Sequence, residues 1–433
     1  MGVSYVNYLI NPKHRKFPFK GIIGWALLNK IPTVEELQEK YAFKYYSTMN
    51  KAVGDVNSGS IGVNEDATKD TAVAGVYTDE NGGANVVLLK DHTESTRIQP
   101  SVDMTINLGG HTLSANNLVC INVLGGNLTI DGRLSGSAVK MNQVTNAVCI
   151  QVPSTSNAES VCVNNGNYCA TAENGISMAF NANNIYSEVT FLNCHITANC
   201  IDGESKGIAS NAISTITNCD IEATSSSGRS SGVHNAAGTA TITNCDIRAY
   251  SNYDADTGWS VGIRSDGILI VNDCYARGTH SGLSNRGSLY LRGGTYESYG
   301  HGGIYFGGVG STSYVQNATL RECAMPDGYA DTGGGCNHAG FYIGGNSTAN
   351  NITVYMDNCD IYGRDKPFVL RGTDGEKNNS LYISNSTVND AKIRIDNNTH
   401  KLYIGAGNNF TAEDTTLPEA CVATDEVYQR PEL

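Results

Sequence analysis

The sequence predicts an all-β chain wound as a solenoid of stacked β-coils. Three observations carry that expectation. First, one short phrase recurs between residues 205 and 298. Gly207-Ile208 leads to Thr215-Ile216-Thr217-Asn218-Cys219-Asp220-Ile221, and Gly232-Val233 to Thr241-Ile242-Thr243-Asn244-Cys245-Asp246-Ile247. Gly262-Ile263 then leads to Leu269-Ile270-Val271-Asn272-Asp273-Cys274, and Gly282-Leu283 to Leu289-Tyr290-Leu291-Arg292-Gly293-Gly294. Second, the steps are regular: 12, 13, 12 and 12 residues from the first Gly to the Cys or Gly294, and 26 then 29 from Cys to Cys. A period in the twenties with two short alternating strands is the signature of a β-solenoid. Third, 48 Gly against 9 Pro, in a chain rich in Asn, Ser and Thr, is turn-rich β composition.

Charge and hydropathy exclude several classes. The net charge of −13 argues against nucleic acid as a partner, because phosphate binding needs a basic face. No apolar run has the length of a membrane span, so no membrane partner is expected. The 13 cysteines are odd in number, and Cys194, Cys219, Cys245, Cys274 and Cys359 hold one place in the repeat. They are read as small buried hydrophobes stacked coil upon coil, not as a disulfide framework. With a start at Met1-Gly-Val-Ser-Tyr that lacks a basic region followed by an apolar core, they suggest folding in a reducing cytosol.

Residues 1–54 stand apart as an N-terminal anchor or cap. Lys13, His14, Arg15, Lys16 and Lys20 form its basic stretch. Thr33-Val34-Glu35-Glu36 reads as a capping box, and Val34, Leu37, Tyr41 and Tyr45 give one apolar helix face through about Met49. The segment either covers the open edge of the first coil or docks into a larger assembly. Residues 55–103 are a transition, with a strand over residues 84–90. Residues 410–433 break the repeat and read as a C-terminal cap or tail.

Met104-Thr105-Ile106-Asn107-Leu108-Gly109-Gly110-His111-Thr112-Leu113 resembles the opening coil of right-handed parallel β-helix proteins of the pectate-lyase-like class. His111 reads as a turn residue there. Aligning Gly110, Gly132, Gly166, Cys194, Cys219, Cys245, Cys274, Gly294, Ala318, Cys359, Ser386 and Gly407 gives about twelve coils over residues 104–409. At ~4.8 Å per strand that is a rod roughly 55–60 Å long. The resemblance implies a right-handed parallel β-helix. It implies no single activity, since the architecture hosts lyases, hydrolases, adhesins and virion spikes.

Candidate functional residues follow from the repeat. Two inserts, residues 251–259 and 325–338, share Ala-Asp-Thr-Gly and should project from one side of the scaffold. On the Gly-Ile strand the outward column reads Ser177, Ala209, His234, Arg264, Ser284, Tyr305 and Tyr342. Two residues on it reads Ala179, Asn211, Ala236, Asp266, Arg286, Gly307 and Gly344. His234, Arg264, Asp266, Arg286, Tyr305 and Tyr342 therefore share a surface beside the inserts, where Trp259 and Tyr329 lie. Aromatics among amides and charges suit a sugar polymer; a solvated face with an Arg–Asp–Arg ion-pair set suits the pattern as well. Should the face cleave, Asp254, Asp256, Asp266, Asp327 and Asp331 are the candidate acids, with two-carboxylate hydrolysis the expected chemistry. Gly300-His301-Gly302 resembles a motif of polygalacturonase-like hydrolases, but the aspartates that motif needs on the preceding coils are missing. A calcium site is equally unsupported, so no metal and no cofactor are expected. Asp220 over Asp246, and the ladder Glu222, Arg248, Arg277, Glu297 and Arg321, read as structural.

The layout is similar to bacteriophage tailspike and head- or tail-appendage proteins. That resemblance implies a virion protein, folded in the host cytoplasm, that docks to other virion proteins through its N-terminal segment and binds host cell-surface glycan. It also implies a homotrimer. Depolymerase activity, as a glycoside hydrolase or a lyase, stands beside plain binding. The alternative is a bacterial surface or exported polysaccharide-active enzyme or adhesin.

Overall fold

The computed structural model describes residues 31–433 apart from 252–259, 301, 324–338, 345–350, 365, 372–377, 390–392, 397–398, 411–420, 424 and 429–433. Apart from two helices the described elements are strands, gathered into a 16-stranded and a 22-stranded sheet. Nearly all neighbours pair in parallel, each strand on its counterpart one repeat later, which is consistent with a β-helix. The 22-stranded sheet runs as two lanes. The 16-residue strands Asn167–Ala182 and His195–Ser210 belong to both: their first halves pair in one lane and their second halves in the other.

Alternation builds the core. Along Ile213–Thr217 every second side chain is buried, and the buried ones stack on their register partners. Phe191, Ile216, Ile242, Val271, Leu291, Val315, Met356 and Ile383 form one such column in the 16-stranded sheet. Val233, Ile263, Leu283, Ile304, Phe341 and Phe368 form another in the second lane of the larger sheet. Each is at most 1% exposed, and burial of such a side chain is worth about 1.5–3 kcal/mol. The Gly of each Gly-Ile phrase sits where the two lanes touch. A Cβ on Gly232 would lie 2.4 Å from Ile247 Cγ2 and 2.8 Å from the Gly262 carbonyl oxygen, so no larger residue fits.

Turns set the register. Asn165, Asn193, Asn218, Asn244, Asp273, Asn317, Asn358 and Asn385 all adopt left-handed φ between 50° and 57° or, for Asn385, 49°. Asn and Asp tolerate that region better than other non-glycine residues. Their amides join turn to turn: Asn244 Nδ2 donates to Asn218 Oδ1 at 2.7 Å, and Asn358 Nδ2 to Asn317 Oδ1 at 2.7 Å. After five of these eight the next residue is the recurrent Cys, and all five Cys are buried and free. Each thiol is also a hydrogen-bond partner. The backbone N–H groups of Cys194, Cys219 and Cys245 donate to Sγ of Cys219, Cys245 and Cys274, each at 3.4 Å. The thiols in turn donate to carbonyls on their own strands, as Cys245 does to Thr243 at 3.2 Å. Burial pushes the Cys194 and Cys245 thiols up, keeping them protonated donors. Ser386 holds the same place under Cys359, whose N–H donates to its Oγ at 3.1 Å. The last aligned position shifts by one: Asn408, not Gly407, meets the Ser386 N–H, while Gly407 lies over Asn385.

The N-terminal end differs from expectation in its helices. Helix α1, Val34–Lys40, begins at the capping box: Thr33 Oγ1 accepts from the Glu36 N–H, and Glu36 accepts from the Thr33 N–H. It stops at Tyr41 and does not run to Met49. The aromatics expected on one helix face are recruited elsewhere. Tyr41 and Phe43 stack on Tyr77 at 4.6 and 4.9 Å, and Lys44–Tyr46 pairs antiparallel with Ala74–Thr78. A second helix, α2, spans Met49–Asn57 and buries Met49, Ala52, Val53 and Val56 in the main core. A break at Asp55 thus runs through α2, and Asp55 itself anchors the segment, accepting from Tyr46 and Asn64. The antiparallel strands Lys44–Tyr46 and Ala74–Thr78 lie at the first edge of the 16-stranded sheet. His111 lies at the turn after Gly109 and Gly110, as expected.

The Cys column gives a test. Cys245→Ala removes the acceptor for a buried backbone N–H and should cost about 1–3 kcal/mol. Cys245→Ser should cost distinctly less, since Ser386 already shows a hydroxyl in this role. Denaturant melts of the two variants check the order; equal losses would mean that the N–H···S bond contributes nothing.

Candidate functional site

The outward column of the Gly-Ile lane is confirmed strand by strand: Ala209, His234, Arg264, Ser284, Tyr305, Tyr342 and Val369 are successive register partners. Its first member is corrected. Asn181, not Ser177, pairs with Ala209, because Ala179-Phe180 and not Gly175-Ile176 fills the Gly-Ile place on that strand. The same shift puts Asn183, not Ala179, at the head of the second column.

The structure brings together four of the expected residues. Asp266 lies 3.6 Å from His234 Nε2, 3.6 Å from Arg264 and 3.8 Å from Arg286. All four side chains are partly exposed, from 15% at His234 to 35% at Arg286. Burial would raise the Asp266 carboxyl, but His234, Arg264 and Arg286 outweigh it and hold it below the usual carboxylate range. Burial, reinforced by Arg264, pushes His234 down despite Asp266, and burial also lowers Arg264. Asp266 is therefore a fixed anion without a proton to give, which does not suit a general acid. Three further charges reach this cluster: Glu204 and Lys206, paired at 2.9 Å, and Arg229. Sequence reasoning missed them because they sit three to five residues ahead of the column, across a Gly position that register partners skip.

Tyr305 and Tyr342 stand in the column but do not offer free rings. They are 2% and 4% exposed, with ring centroids 4.6 Å apart, in an apolar cluster with Ala339 and Val369 that is separate from the main core. The expectation that they present sugar-stacking faces to solvent is overturned: outward from the sheet is not outward to water here. Trp259, Asp254, Asp256, Asp327, Asp331, Tyr329 and His301 lie outside the described residues.

A larger outward aromatic set lies on the 16-stranded sheet and went unread. Tyr290, Tyr314, Tyr355, Tyr382 and Tyr403 are consecutive register partners, stacked at 5.6, 5.0, 4.7 and 4.2 Å. The signal was present: the first four each precede a left-handed turn residue by three. Because the rings cover one another, their faces are closed to a sugar, and the set reads as a stiffening ladder. The charged ladder on the first lane is in register as expected. Its centre is Glu297, wholly enclosed by Arg277, Arg321 and the Tyr275 hydroxyl. Asp220 and Asp246 are register neighbours but share no proton, since Asp220 pairs with His195 at 3.1 Å and Asp246 with Arg248 at 2.5 Å. Beside α1 a cleft of about 550 Å³ is lined by Leu37, Tyr77, Asn85, Asp131, Arg133 and Leu192, among others. Among the described residues no group of three His, Cys, Asp or Glu could hold a metal ion.

Two stability measurements follow. Tyr305→Ala should destabilise the fold by about 3 kcal/mol, as for other enclosed aromatics, where a solvent-facing ring would cost almost nothing. Glu297→Gln leaves Arg277 and Arg321 facing a neutral amide and should cost about 2–3 kcal/mol, somewhat below a fully buried pair because both guanidinium groups reach water. Thermal or denaturant melts read both; a loss within error for either would overturn the burial on which it rests.

No family model matches this chain, no characterised protein matches it, and no solved structure matches it.

Proposed function

We propose that this chain is a bacteriophage virion appendage, built as a right-handed β-helix of about twelve coils, that recognises host cell-surface polysaccharide. The observation that carries the reading is the cluster of His234, Arg264, Asp266 and Arg286, partly exposed and brought together on or just after adjacent strands. Parallel stacking fixes such a row at the strand spacing of ~4.8 Å, giving a rigid, linear set of donors and acceptors of the kind an extended polymer can follow. The stacked free thiols support folding in a reducing compartment, which the host cytoplasm is. The fixed ionisation of Asp266 leaves it no proton to give a leaving group, so it is read here as part of a binding face. The phage setting, the docking of residues 1–54 to other virion proteins and the trimeric state rest on the likeness of layout to tailspikes.

The test uses the full chain against capsule and lipopolysaccharide preparations from a panel of bacteria. Retention of at least one, lost on His234→Ala with a normal melt, is the expected result, with no release of reducing ends. Failure to retain any overturns the polysaccharide reading. Mass spectrometry of purified virions tests the setting, and finding the chain instead on a bacterial surface would favour an adhesin or exported enzyme.

A further inference from the structure

The chain has 42 acidic against 29 basic side chains, yet on this face the balance reverses. Lys206, Arg229, Arg264 and Arg286 gather around two carboxylates, Glu204 and Asp266. Glu204 is committed to Lys206 at 2.9 Å. Asp266 is divided among three partners at 3.6 to 3.8 Å, all beyond hydrogen-bond distance. Arg264 is the group left short. Its side chain is only 24% exposed, yet among the described residues it makes no hydrogen bond and one loose ion pair. Arg229, exposed just before the strand Ser230–Asn235, has no ion pair among the described residues and is close enough to disfavour the Arg264 charge. A guanidinium drawn from water without acceptors is costly, and an anion that supplies two oxygens relieves that cost. The acidity of the whole chain does not oppose this, because at physiological salt charges beyond about 8 Å are largely screened.

We propose that the face takes an acidic glycan, and that Arg264, with Arg229 beside it, receives the carboxylate of a uronic-acid unit. This rests on the polysaccharide reading above and names the chemistry of that same site. The planar fork of arginine matches a carboxylate with two parallel bonds, which a lysine at that place would not.

The experiment measures binding of the full chain to polygalacturonate, hyaluronan and alginate, with dextran sulfate and neutral dextran as comparators, at physiological salt. The carboxylated polymers should bind over dextran. Arg264→Gln should weaken that binding about ten-fold, and Arg264→Lys should recover only part of it. Arg292→Gln, which removes the same charge from the outward side of the 16-stranded sheet, should change it by less than about two-fold. Asp266→Asn should strengthen binding, an outcome that damaged folding does not mimic. Equal losses from Arg264→Gln and Arg292→Gln, or dextran sulfate bound best without dependence on Arg264, would reduce the effect to bulk charge and overturn the inference. If the chain retains a neutral surface polysaccharide but none of the three carboxylated polymers, this inference fails alone. If it retains no polysaccharide of any kind, both readings fail.

Discussion

Everything in this molecule depends on the turn that resets each strand over the one before. A left-handed Asn or Asp bends the chain, and the following Cys hands an acceptor to the backbone N–H one repeat back. The two devices act on adjacent residues of the same turn, so the strand that leaves it starts at one register. A slip of a single residue would send each core side chain to solvent and each outward charge into the core. The penalty for such a slip is therefore spread over whole strands, while the interactions that prevent it are local and small.

That register also decides what the outside can be. Once inward columns are fixed, the residues between them must stack as well, and their chemistry is multiplied along the chain. On one surface this yields a file of tyrosines, on another an Arg–Glu–Arg sandwich around Glu297, and on the third the mixed charges around Asp266. The first two satisfy themselves: ring covers ring, and the carboxylate is enclosed by cations. The third differs because Arg264 is answered, among the described residues, only by the Asp266 carboxylate, 3.6 Å away. Unfinished pairing beside two self-satisfied ladders is a physical reason to place function there and not on the ladders.

The inward half of the structure was legible because it repeats. The Gly-Ile phrase, the Cys column and the pairing of His234 with Arg264 all follow from counting residues. Counting failed where a residue's neighbours come from outside its own repeat. Tyr45 fits a helical face on paper, but the antiparallel pairing of Lys44–Tyr46 with Ala74–Thr78 takes it into a strand. Ser177 was read in the place of Asn181 because the long strand that carries both has its Gly175-Ile176 pair four residues ahead of the place that Ala179-Phe180 fills. Tyr305 was placed on the correct side of the sheet yet assigned the wrong environment, since alternation reports direction and not cover. Glu204 and Arg229 join the site through long side chains that reach along the strand, a distance that no periodic pattern encodes.

The register step has a consequence for how the chain acquires its shape. Ile216 meets Ile242 across 26 residues of sequence, and comparable short separations recur along the whole length. For a chain of 433 residues these are local contacts, despite an architecture made of parallel strands. Assembly can then proceed as a zipper, each finished layer serving as template for the next, with the first edge near α2 as a natural point of nucleation. Synthesis delivers that edge first. Growth toward the C-terminus would keep pace with the ribosome, so the exposed template edge at any moment is the one about to be covered by residues just made.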